Sequence, residues 1–62
     1  MYTIQDFKAG QRIQLHPGTD LWMQGARYGE IVKVGRKVLH VRLDVTFGRL
    51  VRLAPRNVYG VL

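Results

Sequence analysis

Residues 27–53 alternate apolar with polar side chains and are interrupted twice by short turn sequences. This alternation has the period of a β-strand with one buried face. Gly35-Arg36 fits a two-residue hairpin turn with glycine at the first central position, and residues 44–48 form a second link of five residues. The segment therefore predicts three consecutive antiparallel strands.

The two predicted turns fix a register in which six aliphatic side chains face inward. The first turn places Val32 opposite Leu39, and the second places Leu39 opposite Leu53. The predicted inner face consists of Val32, Val34, Leu39, Val41, Val51 and Leu53. The other face carries Ile31, Lys33, Val38, His40, Arg42, Leu50 and Arg52. A slip by one residue at either turn would place Lys33 or Arg52 among the inward side chains, which favours this register.

Further strands are predicted on both sides of this segment. Ile13 and Leu15 alternate with polar residues in a first strand, and residues 58–62 supply a last strand that can pair with the first. The long loop of residues 19–26 is predicted to hold a short helical turn capped by Thr19 or Asp20. Residues 54–57 read as a tight turn, because Pro55 fixes its own φ. The chain therefore predicts one domain, residues 1–62, of the all-β class.

Three stretches resemble the small SH3-like barrels that are grouped with KOW and Tudor domains. They are Ala9-Gly10-Gln11-Arg12-Ile13, the run from Gly25 through Gly29-Glu30-Ile31-Val32-Lys33-Val34, and Leu53-Ala54-Pro55-Arg56-Asn57-Val58. The resemblance implies a five-stranded SH3-like barrel with a long loop between strands 1 and 2. It also implies binding to RNA, DNA or components of transcription and translation, as is common for KOW modules.

The positive charge of the chain is concentrated in its second half. Ten Lys and Arg residues against four Asp and Glu residues give a formal net charge of +6. In residues 1–26 the two signs cancel, so residues 27–62 carry the whole surplus. A charge surplus on one part of a small domain favours a polyanionic partner, and nucleic acid is the partner we expect.

The expected nucleic-acid site lies on the outer face of the predicted strands. Its phosphate-binding residues are Lys33, Arg36, Lys37, His40, Arg42, Arg49 and Arg52. Trp22 and Tyr28 flank the long loop and are candidates for stacking on unpaired bases. The alternatives are a plain solvated face for the charges, a lid over the core for Trp22, and an aromatic cage for a methylated lysine as in Tudor-like domains.

A second hypothesis is a protein-interaction or self-assembly module. The predicted outer face mixes aliphatic side chains with cations, and a homo-oligomer would supply burial that so short a chain lacks. The expected contact residues are Ile31, Val38 and Leu50.

The sequence predicts neither catalysis nor a metal or cofactor. It contains no cysteine and no serine, and its four acidic residues form no recognisable acid–base pair. His16 and His40 lie on different predicted strands and are weak metal ligands. No apolar run approaches the roughly 20 residues that span a membrane, and no secretion signal opens the chain, so we expect a cytoplasmic protein.

Overall fold

A five-stranded antiparallel β-sheet organises the protein in the computed structural model, which describes residues 2–45 and 48–62. The strands are β1 (Arg12–Leu15), β2 (Tyr28–Val34), β3 (Leu39–Leu43), β4 (Leu50–Leu53) and β5 (Val58–Val61). Their order in the sheet is β4-β3-β2-β1-β5, which confirms the all-β class and the pairing of the first strand with the last. Within these residues no backbone pairing joins β4 to β5. Met1, from the N-terminal segment, and Thr46 and Phe47, from the predicted five-residue link, lie outside the described residues.

In residues 2–45 and 49–62 three short helical turns lie outside the strands. A 3-10 turn spans Ile4–Asp6, the helix α1 spans Asp20–Met23 in the long loop, and a second 3-10 turn spans Pro55–Asn57 before β5. The Thr19 hydroxyl accepts a hydrogen bond from the Trp22 N–H at 3.2 Å, so the predicted helix cap is confirmed. None of the helices in the described part of the chain is long and apolar enough to cross a membrane.

The core lies on one face of the sheet and draws on every strand. Its buried side chains are Phe7, Ile13, Leu15, Ala26, Ile31, Leu39, Val41, Leu43, Leu53 and Val58. All are apolar, and no buried side-chain nitrogen or oxygen among the described residues lacks a hydrogen-bond partner. Because the core is small, the loss of one large side chain removes a substantial part of the hydrophobic stabilisation.

The predicted register between β3 and β4 is confirmed. Leu39 lies opposite Leu53 and Val41 opposite Val51, as the five-residue link requires. Alternation along both strands then leaves the intervening residues on the exposed face. Arg52 is one of these residues and lies opposite His40 on β3.

The turn between β2 and β3 differs from the prediction. The Gly35 N–H donates to the Val38 carbonyl at 2.9 Å, so residues 36–37 form the centre of the turn. The predicted centre lay one residue earlier. Val34 consequently lies opposite Leu39, the position predicted for Val32.

A β-bulge at Val32 changes the register again within the same strand. On the turn side of the bulge Lys33 pairs with His40, whereas on the other side Ile31 pairs with Val41. Ile31 is therefore fully buried, and its predicted place on the exposed face is wrong. A bulge inserts one unpaired residue, so the strand reverses which of its residues face inward.

The charge of Glu30 gives a physical reason for the bulge. In the predicted flat register Glu30 would lie opposite Val41 and face the core, where an unpaired carboxylate costs several kcal/mol. The bulge instead places Glu30 opposite Arg42 on the outer face and Ile31 in the core. Burying an isoleucine side chain contributes about 2 kcal/mol, so both changes favour the bulged pairing.

Candidate nucleic-acid interface

Three basic side chains lie side by side across β2, β3 and β4. Lys33 pairs with His40, and His40 pairs with Arg52, so one row of Cα partners crosses the outer face of the sheet. Cα atoms of opposite residues in antiparallel strands are about 5 Å apart. Lys33 and Arg52 are exposed, and His40 between them is half-buried. The row therefore holds its charges at a spacing set by the backbone.

The β2–β3 turn adds two cations at the end of this row. Arg36 and Lys37 are its central residues, and both are exposed. A Cβ atom built on Gly35 would lie 3.6 Å from His40 Nε2, which shows that the imidazole leans towards the turn. We call Lys33, Arg36, Lys37, His40 and Arg52 the turn-end cluster.

The four carboxylates of the chain lie elsewhere. Asp6 accepts a hydrogen bond from the Thr3 N–H at 2.7 Å, Asp20 begins α1, and Asp44 forms an ion pair with Arg12. Glu30 lies in the next row of the sheet. Among the described residues no member of the turn-end cluster forms an ion pair, so the cluster retains a formal charge of +4 from two lysines and two arginines.

The second row of the outer face is closer to charge balance. It runs from Leu50 on β4 through Arg42 and Glu30 to Arg12 on β1. The pKa of Arg12 is raised above its ordinary value, chiefly by the hydrogen bond from its guanidinium to Asp44. This row therefore attracts an anion less than the turn-end cluster does.

Two predicted phosphate ligands lie at the far end of the sheet. A Cβ atom on Gly48 would lie 3.4 Å from Arg42 Cδ, so the arginine side chain extends towards the β3–β4 link. The Arg49 carbonyl accepts a hydrogen bond from the Leu43 N–H at 2.9 Å, which places this residue at the same end. The structure thus divides the seven predicted cations into five at the turn and two at the opposite end.

The two predicted stacking residues have different environments. Trp22 is half-buried against the core, and the Arg27 guanidinium carbon lies 4.9 Å from the centroid of its ring. The packing against the core matches the alternative in which Trp22 covers the core, and the Arg27 guanidinium lies over the Trp22 ring. Tyr28 lies on the outer face opposite Gln14, with 41% of its surface exposed.

The predicted self-association patch is not continuous. Ile31 belongs to the core, Val38 is half-buried beside the turn, and Leu50 is 60% exposed on the edge strand β4. Only Leu50 among the three is an exposed apolar side chain.

A cleft at the β1–β5 edge was not predicted from the sequence. It has a volume of about 300 Å³ and is lined by Tyr2, His16, Arg56, Val58 and Tyr59. These residues come from both ends of the chain and from the end of β1, so no local motif joins them. The sequence indicated only that aromatic and basic residues occur at those positions.

No group of three or more histidine and acidic residues that could hold a metal ion occurs in residues 2–45 and 48–62. In comparisons with known proteins, the chain gave no significant match to a protein-family model, a curated protein or a solved structure.

Proposed function

We propose that the protein is a nucleic-acid-binding module that holds the phosphates of DNA or RNA on its turn-end cluster. The observation that carries this proposal is the row Lys33–His40–Arg52, which the turn residues Arg36 and Lys37 extend. Among the described residues none of these five side chains forms an ion pair. Arginine binds phosphate in a bidentate manner and lysine binds it as a point charge. Neutralising phosphates releases counterions, which favours binding to any sequence.

The fold we propose is a small SH3-like barrel. The strand order β4-β3-β2-β1-β5, the long β1–β2 loop and the 3-10 turn before β5 support it. The binding function needs only the β2–β4 part of that fold. We propose that the protein binds without catalysis and without a cofactor. We also propose that it acts in the cytoplasm, because a chain without cysteine cannot form the disulfides that an oxidising compartment favours.

Salt dependence is the direct test of phosphate binding. With about four phosphates neutralised, the slope of log K against log salt is about −3.6, so affinity falls about 150-fold between about 50 and about 200 mM salt. We expect the Lys33→Ala and Arg52→Ala variants each to reduce the slope by about one and to weaken binding to all sequences alike. Fluorescence anisotropy with labelled DNA and RNA of mixed sequence measures both quantities.

Lys8→Ala is the matched control for this experiment. Lys8 is exposed, lies outside the sheet face and carries the same charge as Lys33, so its loss should leave the slope unchanged. Arg42→Ala should have an intermediate effect, because Glu30 lies opposite it. A slope near zero, or an equal effect of Lys8→Ala and Lys33→Ala, would contradict a defined phosphate site.

A second candidate function is self-assembly or protein binding through the edge strand β4. Leu50 favours it, because a large apolar side chain is 60% exposed on β4, which pairs with β3 alone among the described residues. On this hypothesis the protein sediments as an oligomer and Leu50→Asp yields the monomer. Met23→Asp is the control, since Met23 is 84% exposed on α1 and lies outside the sheet. A wild-type protein that sediments as a monomer at high concentration would exclude self-assembly.

A further inference from the structure

The aromatic cleft lies outside the turn-end cluster and has walls of different chemistry. It is lined by Tyr2, His16, Arg56, Val58 and Tyr59, at the β1–β5 side of the sheet, while β4 forms the other edge. Three of these five residues, Tyr2, His16 and Tyr59, have aromatic rings, and Arg56 carries a guanidinium group. Its volume of about 300 Å³ is at the lower end of the range for small-molecule sites. The cleft can hold one planar group with its substituent.

The aromatic walls are held in place by neighbouring rings. The Tyr2 ring lies 5.3 Å from that of Phe7, a core residue, and Tyr2 itself packs against the core. The rings of His16 and Tyr59 meet edge to face with centroids 5.9 Å apart. Because these ring contacts already orient the side chains, binding would require little additional ordering.

A bulge places Tyr59 in the cleft. Leu15 pairs with Val58, whereas the preceding residue, Gln14, pairs with Gly60, so Tyr59 is the extra residue on β5. A bulged residue leaves the regular alternation of the strand, and its side chain is redirected. Tyr59 consequently contacts His16 and still exposes 59% of its surface.

The polar groups of the cleft are suited to an anion. The Gly18 N–H donates to His16 Nδ1 at 3.0 Å, so Nδ1 is the acceptor of this ring and Nε2 is its N–H donor. Arg56 adds the five N–H donors of its guanidinium. None of the five described residues that line the cleft carries a carboxylate.

We propose that this cleft binds one unpaired nucleotide of a single strand, with the base against Tyr59 and Tyr2 and a phosphate at Arg56. This inference rests on the proposed nucleic-acid binding and specifies its substrate as single-stranded. Aromatic side chains stack on bases of any identity, and a neighbouring guanidinium binds the attached phosphate. A methylated lysine fits the same rings poorly, because Arg56 repels a cation.

The test compares a single-stranded oligonucleotide with a duplex of the same length. Labelled oligothymidine and oligouridine are the single-stranded probes, and a mixed-sequence DNA duplex is the third. We expect Tyr59→Ala to weaken binding of both single strands about tenfold, the loss of one stacked base, and to leave duplex binding unchanged. Tyr59→Phe keeps the ring and should bind as the wild type does. Arg56→Gln should lower the salt slope for the single strands alone by about one.

Met23→Ala is the control, because Met23 is an exposed large side chain on α1, outside both the cleft and the turn-end cluster. An equal loss for Met23→Ala and Tyr59→Ala, or wild-type binding of single strands by both Tyr59→Ala and Arg56→Gln, would overturn the inference. In that case salt-dependent binding sensitive to Lys33→Ala would still support the proposed function. If the wild type binds none of the three probes, the proposed function fails, and this inference fails with it. Far-UV circular dichroism of each variant establishes that it is folded.

Discussion

Ile31→Ala is expected to destabilise the domain by about 3 kcal/mol, whereas Val32→Ala should cost about 1 kcal/mol or less. Ile31 is fully buried opposite Val41, and its neighbour Val32 is the half-buried residue of the bulge. Truncating a buried isoleucine loses its transfer free energy and leaves a cavity in the core. Because a core of this size supplies only about 3–5 kcal/mol, the Ile31→Ala protein should retain only about 0–2 kcal/mol and unfold at a much lower urea concentration than the wild type.

Urea denaturation followed by Trp22 fluorescence measures both variants, and circular dichroism in the absence of urea checks whether Ile31→Ala is folded. The pair compares adjacent aliphatic residues of one strand, so it isolates the direction in which each side chain faces. The flat register makes the opposite prediction, with Val32 buried and Ile31 exposed. A larger loss for Val32→Ala than for Ile31→Ala would therefore disprove the bulge.

Gly29→Ala is expected to lower the free energy of unfolding by about 2 kcal/mol through overpacking. A Cβ atom at this buried position of β2 would lie 2.6 Å from Val41 Cγ1 and 2.9 Å from the Arg42 carbonyl oxygen. The carbonyl belongs to the β3 backbone, so it cannot move aside without disturbing the β2–β3 pairing. Glycine is required here because the two strands approach closely, a recognised role of glycine within sheets.

Gly60→Ala is the control for this prediction. Gly60 also lies within a strand, its φ is in the region open to all residues, and no atom lies within 4 Å of an added Cβ. Its substitution should change stability by no more than about 0.5 kcal/mol. Denaturation midpoints that are equal for the two variants would show that Gly29 is not in close contact with β3.

These two predictions bear on function because β2 contributes Ile31 to the core and Lys33 to the turn-end cluster. The turn centred on residues 36–37 sets Lys33 opposite His40, whereas the bulge that buries Ile31 sets Glu30 opposite Arg42. Without the bulge, Lys33 would still face outward, but Glu30 would leave its place opposite Arg42. Burying Ile31 is more favourable than burying Glu30, so the bulged pairing is preferred. This pairing places the Glu30 carboxylate opposite Arg42 on the basic face.

Alternation predicted most of the strands and one of the two hairpin registers. Between β3 and β4 it left no ambiguity, because His40, Arg42 and Arg52 are polar and each has apolar neighbours on both sides. In β2 the adjacent pair Ile31-Val32 interrupts the alternation, so either residue can face the core. Glu30 was the signal that could have resolved it, since the flat register turns that carboxylate inward.

The site was predicted in part for the same reason. Lys33, His40 and Arg52 were assigned to one surface from strand pairing, and the structure places them in one row. The separation of Arg42 and Arg49 from that row depends on where side chains lean and on where the acids lie. Alternation contains no information about either.

The sequence by itself determined the all-β class, the concentration of positive charge in the second half and the face on which most cations lie, because these follow from residue type and period alone. Tertiary structure decided the bulge at Val32, the burial of Ile31 and the cleft between Tyr2, Arg56 and Tyr59. Each of these depends on contacts between residues that are distant in the chain. Such contacts depend on which side chains are buried in a small core, and a local sequence pattern does not contain this information.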